Sequence, residues 1–515
     1  MKDKMINVFL TLTILLSFPM TSCDDVDSAP TSPGVEVEKP DKDWNNPESE
    51  HYVSGEYYDY TLTGKPERPY MLSYTSTMMM KFFMAQPDQQ GGTNIYMTYE
   101  EALDNIIAID NISRGIPKIV YLVGWQFNGH DDKYPAFSEM NEALKRPQDG
   151  SALESYMWLK EEAKKYNTIV SVHLLVNDAY TNSPLWHEYV RNDLLCRNAD
   201  GSFLSWGDPL NGLVNYQVCL VNEWAKGYTQ KRLDAVVEML DITDSKTIHI
   251  DAFEPRTSPY HDVTIDMTLE VMRKVIRYLR NKGIDTTAEF WHGNTRPRPE
   301  NKDRITSSFE NEMFIGLQPA AWWNDMTAEE RASISPDLAC SGESGQFDWN
   351  IYHDIGFMFG DNMHAEAILK NTPKEERMPL IIKDFCLKTL QCMYLNMHAA
   401  PVCDTNAKTV TYSGDLVVNA AEMTVKKNGM LRRKGNDVFF PAVWIKDHKE
   451  ILAFSNDGYA TMSWVLPTDW GDVEKVSIRT VTERGLSDPV VHQVVERKVT
   501  LTLAAGQMVS LTPLN

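Results

Sequence analysis

The sequence predicts an α/β protein in which a (β/α)8 barrel of the TIM type is followed by a C-terminal antiparallel β-sandwich. Between about residues 58 and 402, short runs rich in β-branched residues alternate with amphipathic helical patterns, as in a parallel sheet with helices outside it. From residue 403 to 515 the pattern changes to alternating runs separated by turn residues. A chain of 515 residues is too long for one compact domain, so we expect two folded domains.

Residues 1–22 are predicted to be a signal peptide of the lipoprotein type. Lys2 and Lys4 precede an apolar run over residues 5–20, and small residues then lead to Cys23. The pattern predicts lipid attachment to Cys23 and export to the bacterial cell envelope or cell surface. An ordinary cleavable signal peptide followed by a chance cysteine is the alternative. Residues 23–57, rich in Asp, Glu, Pro and Ser, are predicted to form a disordered tether.

The charge of the chain limits its partners. Its 72 acidic residues outnumber 50 basic ones, which gives a formal net charge of -22. This excess makes nucleic acid and anionic membrane surfaces poor partners, whereas a neutral glycan or glycoprotein substrate fits it. No later apolar run is long enough to span a bilayer, so we expect membrane contact through the N-terminal lipid only. The six cysteines after Cys23 show no metal-type spacing, and their disulfide pairing stays open.

The individual elements follow from periodicity. Barrel strands are predicted at 118–123, 168–175, 246–251 and 285–290, and outer helices at 99–112, 229–240 and 265–282. The last helix is the clearest, because its apolar residues recur at three- and four-residue steps and Gly283 suits its C-terminal turn. Sandwich strands are predicted at 438–444, 450–454, 461–465, 476–481, 490–495 and 498–503.

Two acidic residues end consecutive predicted strands. Because functional side chains of a parallel barrel cluster at the carboxyl ends of its strands, Asp251 and Glu289 are expected at the same mouth. Glycoside hydrolysis uses such a pair, about 5–5.5 Å apart in retaining enzymes and further apart in inverting ones. Glu289 precedes Phe290 and Trp291, whose apolar surroundings would keep it protonated as the acid, whereas Asp251 would stay ionised.

The alternative is that these are rim acids in salt bridges with Arg256 or Arg296. Polar residues at two further strand ends, in segments 121–131 and 172–178, favour a site, because such groups are costly to bury without a ligand or mutual pairing. His249, two residues before Asp251, is expected to face the surrounding helices.

Metal and cofactor chemistry is not expected. His353, Asp354, His364 and Glu366 resemble a metal set in composition, but their spacing matches no ligand pattern. The sequence contains no glycine-rich phosphate loop and no Gly-x-Ser-x-Gly elbow. We therefore predict neither a metal ion nor a cofactor.

One segment carries a family resemblance. Residues 120–131, VYLVGWQFNGHD, followed by Lys133, Tyr134 and Pro135, resemble the strand and loop of the endo-α-N-acetylgalactosaminidases of glycoside hydrolase family 101. His173 and the strand ends at Asp251 and Glu289 resemble the same family. The resemblance runs from about residue 70 to 324, with its motifs in the same order.

The resemblance implies a retaining enzyme that releases Galβ1-3GalNAc from Ser or Thr of mucin-type O-glycoproteins. It implies that Asp251 is the nucleophile, Glu289 the acid/base, and His130 with Asp131 a clamp on substrate hydroxyls. The further candidate substrate-binding residues are Gln126, His173, Asn177, Trp206, Glu254, Trp291 and Trp323, of which the tryptophans are candidates for stacking on the sugar ring.

The chain also departs from the family. Its members are usually longer, with a large β-domain before the barrel, and Ala252, Phe253 and Glu254 stand where Val, an aromatic residue and Gly are expected. Glu254 is then either a substrate contact or a polar rim residue. The exact sugar and the choice between endo and exo cleavage stay open. Two alternatives remain: an α-glycosidase for another galactose-type α-linkage, and a non-catalytic glycan-binding lipoprotein.

Overall fold

The computed structural model describes residues 42–57, 67–88, 90–207, 209, 212–253, 255–288, 357, 360, 365–398, 402–404 and 407–514. Cys23, the predicted signal peptide and residues 23–41 of the predicted tether lie outside them. Residues Lys42–Asn515 form one compact unit. None of the helices in the described part combines the length and apolar character that crossing a bilayer requires.

Strands and helices alternate along the first part of the chain. In chain order the elements are β1 (Met78–Phe83), β2 (Ala85–Pro87), β3 (Thr93–Ile95), α1 (Tyr99–Ser113), β4 (Lys118–Val123), α2 (Ala152–Lys164), β5 (Thr168–Leu175), β6 (Asp178–Tyr180), α3 (Trp186–Arg191), β7 (Asn215–Gln217), α4 (Leu220–Ala225), α5 (Tyr228–Met239), α6 (Ile242–Ser245), β8 (Thr247–Asp251), α7 (Ile265–Asn281) and β9 (Asp285–Ala288).

A parallel sheet forms the centre of this part. Its strands lie in the order β1, β4, β5, β8, β9, and helices lie between β1 and β4, β4 and β5, β5 and β8, and β8 and β9 in the chain. Every residue of β1, β4 and β8 is buried. This is expected for a parallel sheet, in which helices pack on one face and side chains of the protein interior pack on the other. The prediction of an α/β fold with a parallel sheet is confirmed. The described residues contribute five strands to this sheet, and its closure into an eight-stranded barrel stays a prediction.

The outer helices begin where the sequence supplies caps. The side chain of Thr98 accepts from the backbone N–H of Glu101 at 3.2 Å, and Glu101 accepts from the N–H of Thr98 at 3.0 Å, which is a capping box at the start of α1. Thr264 caps α7 through the N–H of Met267. Gly283, just beyond α7, has a φ of 77°, the left-handed conformation predicted for its C-terminal turn.

Residues 42–56 depart from the predicted disordered tether. Trp44 is only 6% exposed and packs edge-on against Trp224 and Tyr278, with ring centroids 6.1 and 5.5 Å away. The guanidinium of Arg273 on α7 donates to the carbonyl of Gly55 at 2.6 Å. One aromatic side chain among polar residues thus fixes this segment to the helical layer, which the average composition of the stretch did not indicate.

The last part of the chain is mainly antiparallel. Its helices are α8 (Glu366–Asn371), α9 (Lys374–Asp384) and α10 (Leu390–Leu395), with a π-helical turn at Phe385–Thr389. Its strands are β10 (Val402–Asp404), β11 (Thr409–Tyr412), β12 (Leu416–Asn419), β13 (Thr424–Lys427), β14 (Met430–Lys434), β15 (Asp437–Pro441), β16 (Ile451–Ser455), β17 (Tyr459–Val465), β18 (Lys475–Thr482), β19 (Gly485–Leu486), β20 (Val490–Gln493), β21 (Lys498–Leu503) and β22 (Gln507–Leu514).

Two antiparallel sheets pack together here. The larger sheet has the order β10, β11, β12, β13, β14, β15, β16, β22, β18, β19, with β20 paired to β18, and β17 pairs with β21. Phe439 of β15 stacks on Trp464 of β17, with centroids 5.1 Å apart, inside an apolar cluster shared by both sheets. The predicted antiparallel C-terminal region is confirmed. The sequence did not predict β10 to β14, β19 or β22 as strands.

Candidate active site

The inward face of the parallel sheet carries the candidate site. Side chains alternate along a strand, so Thr247, His249 and Asp251 of β8 share one face. His173 of β5 pairs with His249 in register, and Leu175 with Asp251. The carboxyl ends of β5 and β8 therefore bring the two histidines and the aspartate together, as the rule for parallel barrels predicts.

Asp251 and His173 make the central polar contact. His173 Nε2 lies 3.0 Å from Asp251 Oδ2, and His173 and Asp251 are only 1% and 8% exposed, respectively. A carboxylate at this depth needs polar neighbours, and the imidazole lies within ion-pair distance of it, although the two groups are not aligned for a hydrogen bond. Asp251 thus stands directly beside His173 at the end of its strand.

His249 lies on the same face as Asp251, so the expectation that it faces the outer helices is wrong. Its ring stacks on that of His173, with centroids 5.5 Å apart and planes 24° apart, and packs against Tyr121. Its Nδ1 lies 2.9 Å from the hydroxyl of Thr287. Burial, together with the charge of Lys81, holds the pKa of His249 well below its usual range. The ring is therefore neutral at physiological pH.

His130 reaches the same place from the loop after β4. Its ring meets His173 edge-on at 5.2 Å, and its Nε2 lies 3.3 Å from Asp131 Oδ2. Burial lowers the pKa of His130, although the charge of Asp131 opposes this. The structure thus places His130, Asp131, His173 and Asp251 in one cluster, and the role of His130 and Asp131 as a hydroxyl clamp stays a prediction.

Glycines allow the His130 loop to pass close to β2. Gly129 has a φ of 127°, and a Cβ there would lie 2.5 Å from the carbonyl carbon of Ala85. Gly124 has a φ of 79°, and a Cβ there would lie 2.0 Å from the carbonyl oxygen of the same residue. The backbone N–H of His130 donates to the carbonyl of Ala85 at 2.9 Å, which fixes the loop at this close approach.

Gln126 and Asn177 hold loops in place. Gln126 Nε2 donates to the carbonyl of Gly129 at 3.0 Å and to the hydroxyl of Tyr134 at 2.8 Å. Asn177 Nδ2 donates to the carbonyl of Ala252 at 2.8 Å, directly after Asp251, where Ala252 has a φ of 44°. Both side chains are buried, so the structure gives these predicted substrate-binding residues a supporting position.

Trp206 is partly exposed, and Arg256 covers one of its faces. The guanidinium carbon of Arg256 lies 3.8 Å from the ring centroid of Trp206, a cation–π contact. A sugar stacking on Trp206 would have to use the opposite face or displace the arginine.

Sequence reasoning did not select Asp178 of β6. This aspartate is 3% exposed and accepts from Asn215 Nδ2 at 2.6 Å. Burial first, and then the charge of Asp131, raise its pKa well above the usual range. It directly follows the candidate Asn177, and an acidic residue so close to the apolar pair Ala179 and Tyr180 was the available signal.

Lys81 and Glu366 also escaped selection as site residues. Lys81 lies in β1 on the inward face, and its Nζ is 3.4 Å from Glu366 Oε2 on α8. The sequence feature that could have indicated Lys81 is its position as a single lysine inside the otherwise apolar strand β1. Glu366 is distant in sequence from the other site residues, and its position depends on how α8 packs on β1.

The same cluster has the composition of a metal site. The ligand atoms of His173, His249 and Asp251, one from each residue, lie within 4.8 Å of one another. The positive charge of Lys81, which acts on His249, opposes the binding of a cation here. The absence of a metal ion stays a prediction of the sequence.

Some candidates lie outside the described residues. These are Glu289, Glu254, Trp291 and Trp323, together with Arg296 of the salt-bridge alternative. The distance between the carboxyl groups of Asp251 and Glu289 therefore stays a prediction.

Known proteins share features with this chain. Residues 91–302 match the family model described as endo-alpha-N-acetylgalactosaminidase. The ligand-free alpha-N-acetylgalactosaminidase NagBb from Bifidobacterium bifidum aligns with 71% of this chain and 58% of its own, at 13% identity and a TM-score of 0.45. Its GalNAc complex aligns with 73% and 58%, at the same identity and TM-score. An alpha-amylase from Geobacillus thermoleovorans aligns with 86% and 100%, at 10% identity and a TM-score of 0.39.

The chain thus spans less than two thirds of the NagBb chains it matches. The match to the family model covers β4, β5, β8 and β9, together with His130, His173 and Asp251. Within residues 91–302 the chain is therefore similar to the endo-α-N-acetylgalactosaminidases of glycoside hydrolase family 101.

Proposed function

We propose that the chain is a retaining glycosidase that cleaves the α-linkage of Galβ1-3GalNAc to Ser or Thr of mucin-type O-glycoproteins. The observation that carries the proposal is the buried Asp251 carboxylate, 3.0 Å from His173 at the end of β8, inside the segment that matches the family model. We further propose that the five parallel strands belong to a closed (β/α)8 barrel, whose mouth is the substrate site.

In this mechanism Asp251 attacks the anomeric carbon as the glycosidic bond to the Ser or Thr oxygen breaks, and Glu289 gives that oxygen its proton. Water then attacks the glycosyl-enzyme carbon with Glu289 as the base, which restores Asp251 and retains the α-configuration. His173 keeps the attacking carboxylate aimed, and the neutral His249 beneath it adds no competing positive charge. His130 and Asp131 bind hydroxyl groups of the sugar.

Two alternatives keep part of this assignment. Another galactose-type α-linked substrate would use the same carboxylates. A non-catalytic glycan-binding protein would be favoured by a nucleophile that pointed away from the mouth. Asp251 shares its face with the buried cluster of His173 and His249, which favours the catalytic assignment.

The test is hydrolysis of p-nitrophenyl α-glycosides of Galβ1-3GalNAc and of GalNAc, with Asp251→Asn and Glu289→Gln alongside the wild type. We expect release of the intact disaccharide with an α-anomeric product by NMR. Loss of the nucleophile should lower kcat by about 10³-fold or more, and azide should restore activity to Glu289→Gln. Activity on other α-galactosides alone would discard the substrate, and full activity in Asp251→Asn would discard the mechanism.

For the whole protein we propose export and attachment to the bacterial envelope through a lipid on Cys23, with no other membrane contact. The net charge of -22 makes nucleic acid an unsuitable partner. The proposal predicts that the protein sediments with membranes and that Cys23→Ala releases it. Equal sedimentation of both forms would contradict the lipid attachment.

A further inference from the structure

Lys81 is a charged residue inside a fully buried strand. All six residues of β1 are buried, and the Lys81 side chain is 7% exposed. Side-chain alternation puts Lys81 on the face of Phe83, whose ring packs against His130 at 5.5 Å. The ammonium therefore points to the side of the sheet that holds the candidate site. Burying it is costly unless an opposite charge lies near.

Glu366 provides that charge from α8. Its Oε2 lies 3.4 Å from Lys81 Nζ, and its side chain is 23% exposed, so solvent reaches the carboxylate more readily than the ammonium. Burial alone would raise the pKa of Glu366, but the charge of Lys81, together with the electrostatic influence of the nearby histidines His173 and His130, outweighs it and lowers the pKa. The charge of Asp251 acts on it in the opposite direction. The charges of Glu366 and Asp251 are thus close enough to affect each other.

Lys370 fixes the helix that carries Glu366. It lies four residues later on α8, and its Nζ stands 3.3 Å from the ring centroid of Phe83 and 5.2 Å from that of Tyr96. The same face of α8 therefore contacts β1 twice, with Lys370 on Phe83 and Glu366 on Lys81. This packing keeps the carboxylate of Glu366 beside the histidine cluster.

The two charged groups offer a ligand both kinds of hydrogen-bonding partner. A separation of 3.4 Å exceeds the roughly 2.7–2.9 Å of a charge-assisted hydrogen bond, and a buried ion pair is weak support for stability in itself. A carboxylate next to an ammonium offers an acceptor and a donor to two neighbouring hydroxyl groups, which a sugar ring carries.

We propose that Lys81 and Glu366 together bind two neighbouring hydroxyl groups of the sugar ring whose anomeric carbon lies at Asp251, and so determine which sugar the site accepts. The inference rests on the proposed function, because it places a sugar ring in this mouth. In this proposal the two residues determine substrate specificity. Both lie outside the segment that matches the family model, Lys81 on the first described strand of the parallel sheet and Glu366 on a helix much later in the chain.

The test uses Glu366→Gln and Lys81→Met, with Asp384→Asn as the matched control. Asp384 forms an ion pair of 2.6 Å with Lys388 on the helical surface, so the control also removes one carboxylate from a Lys pair. We expect KM on the p-nitrophenyl glycosides, and Kd for free GalNAc by calorimetry, to rise about 10- to 100-fold in the site variants. Their kcat should stay within about three-fold of the wild type, and the control should match the wild type.

Deoxy sugars sharpen the test. Substrates that lack one ring hydroxyl should bind the wild-type protein more weakly than the full sugar does. One of them lacks the hydroxyl that Glu366 binds, and Glu366→Gln should bind this deoxy sugar almost as well as it binds the full sugar. If every deoxy sugar loses the same factor in wild type and variant, the pair does not bind hydroxyls. If Glu366→Gln loses kcat and azide restores it, Glu366 is an acid/base and the binding role is overturned.

The outcomes separate this inference from the proposed function. A wild type that hydrolyses the substrate while the variants keep normal KM and Kd removes the inference alone. A wild type that binds GalNAc without hydrolysis, and loses binding in Glu366→Gln, removes the proposed function alone. A wild type that does neither removes both. If Lys81→Met does not fold, as judged by circular dichroism, Glu366→Gln decides.

Discussion

His173 lies directly beside Asp251, the proposed nucleophile. Its Nε2 lies 3.0 Å from the carboxylate, and its ring stacks on that of His249 and meets that of His130 edge-on. We expect His173→Gln to lower kcat/KM by about 10- to 100-fold, which corresponds to the loss of one charge-assisted contact. The loss should fall mainly on kcat, because the carboxylate loses its aim in the transition state.

The matched control is His187→Gln, which changes a histidine on α3, away from the cluster of His130, His173 and His249. Steady-state kinetics on the disaccharide glycoside distinguish the two variants. An effect of His173→Gln on KM alone would assign the residue to substrate binding and contradict the orienting role.

Asp178 predicts a pH dependence of stability. Its pKa is raised in the folded protein, whereas an unfolded aspartate ionises near pH 4. The folded state therefore loses stability relative to the unfolded state as pH rises from about 4 towards the raised pKa. Asn at this position is neutral at every pH and can still accept from Asn215. We expect Asp178→Asn to be more stable than wild type at pH 7, with the difference vanishing below about pH 4.

Thermal unfolding across about pH 3–8 measures this difference, with the exposed Asp472→Asn as the control. A constant difference at all pH values would show that Asp178 is not protonated in the fold, and would contradict the argument.

Among individual residues, the sequence indicated as site candidates those whose spatial neighbours can be inferred from the order of the strands. Asp251, His173 and His130 end or follow apolar strands, and the shared mouth of a parallel sheet brings such ends together. The contact between Lys81 and Glu366 was not predictable in the same way. It joins two distant parts of the chain through the packing of a short helix, and no local pattern encodes that packing.

The same difference between predictable and unpredictable features holds for the strands and helices. β4 and β5 have the bounds that the sequence predicted, because apolar and β-branched residues predominate in strands that are buried on both faces. β13 and β14 were missed because Lys426, Lys427 and Arg433 interrupt their apolar pattern, so pairing with neighbouring strands, more than composition, defines them. In residues 42–56 one buried tryptophan outweighed a polar composition.

The loop between β4 and α2 should depend on Gly129. Alanine there would place a Cβ 2.5 Å from the backbone of Ala85 at a φ of 127°, so the loop must move and His130 with it. We expect Gly129→Ala to lower the free energy of unfolding by about 1–3 kcal/mol and also to lower kcat/KM. Gly91→Ala is the control, because Gly91 also has a positive φ of 86° but no atom within 4 Å of the place that a Cβ would take. Equal activity loss in both variants would contradict a role of the close approach.

The whole described body from residue 42 onward behaves as one compact unit, although its sheets differ in type. Helix α1 of the parallel part, and the turn that ends it, touch the antiparallel part directly. Asn111 Nδ2 donates to the carbonyl of Glu483 at 2.9 Å, and Trp444 Nε1 donates to the carbonyl of Arg114 at 3.2 Å. We therefore expect a single cooperative thermal transition for both parts.

Glu450 is the centre of that contact. Its side chain is fully buried, and its carboxylate accepts from Arg114 Nε and Ser510 Oγ at 2.7 Å each, with His448 Nε2 at 3.0 Å. Burial alone would raise the pKa of Glu450, but Arg114 and the other donors outweigh it and lower the pKa. A lowered folded pKa contributes stability above the unfolded value of about 4.3, and this stability is lost as pH falls below it.

Glu450→Gln should lower the free energy of unfolding at pH 7 by about 2–4 kcal/mol, below the full range for a buried pair because Arg114 is partly exposed. The gap to wild type should narrow as pH falls below about 4, since protonation then removes the charge of Glu450 in both states. Asp447→Asn, which removes an exposed carboxylate from the same histidine, should leave the transition unchanged. Because Glu450 joins the two parts, the variant should also separate the single calorimetric transition into two. One unbroken transition with an unchanged midpoint would show that the two parts are coupled elsewhere.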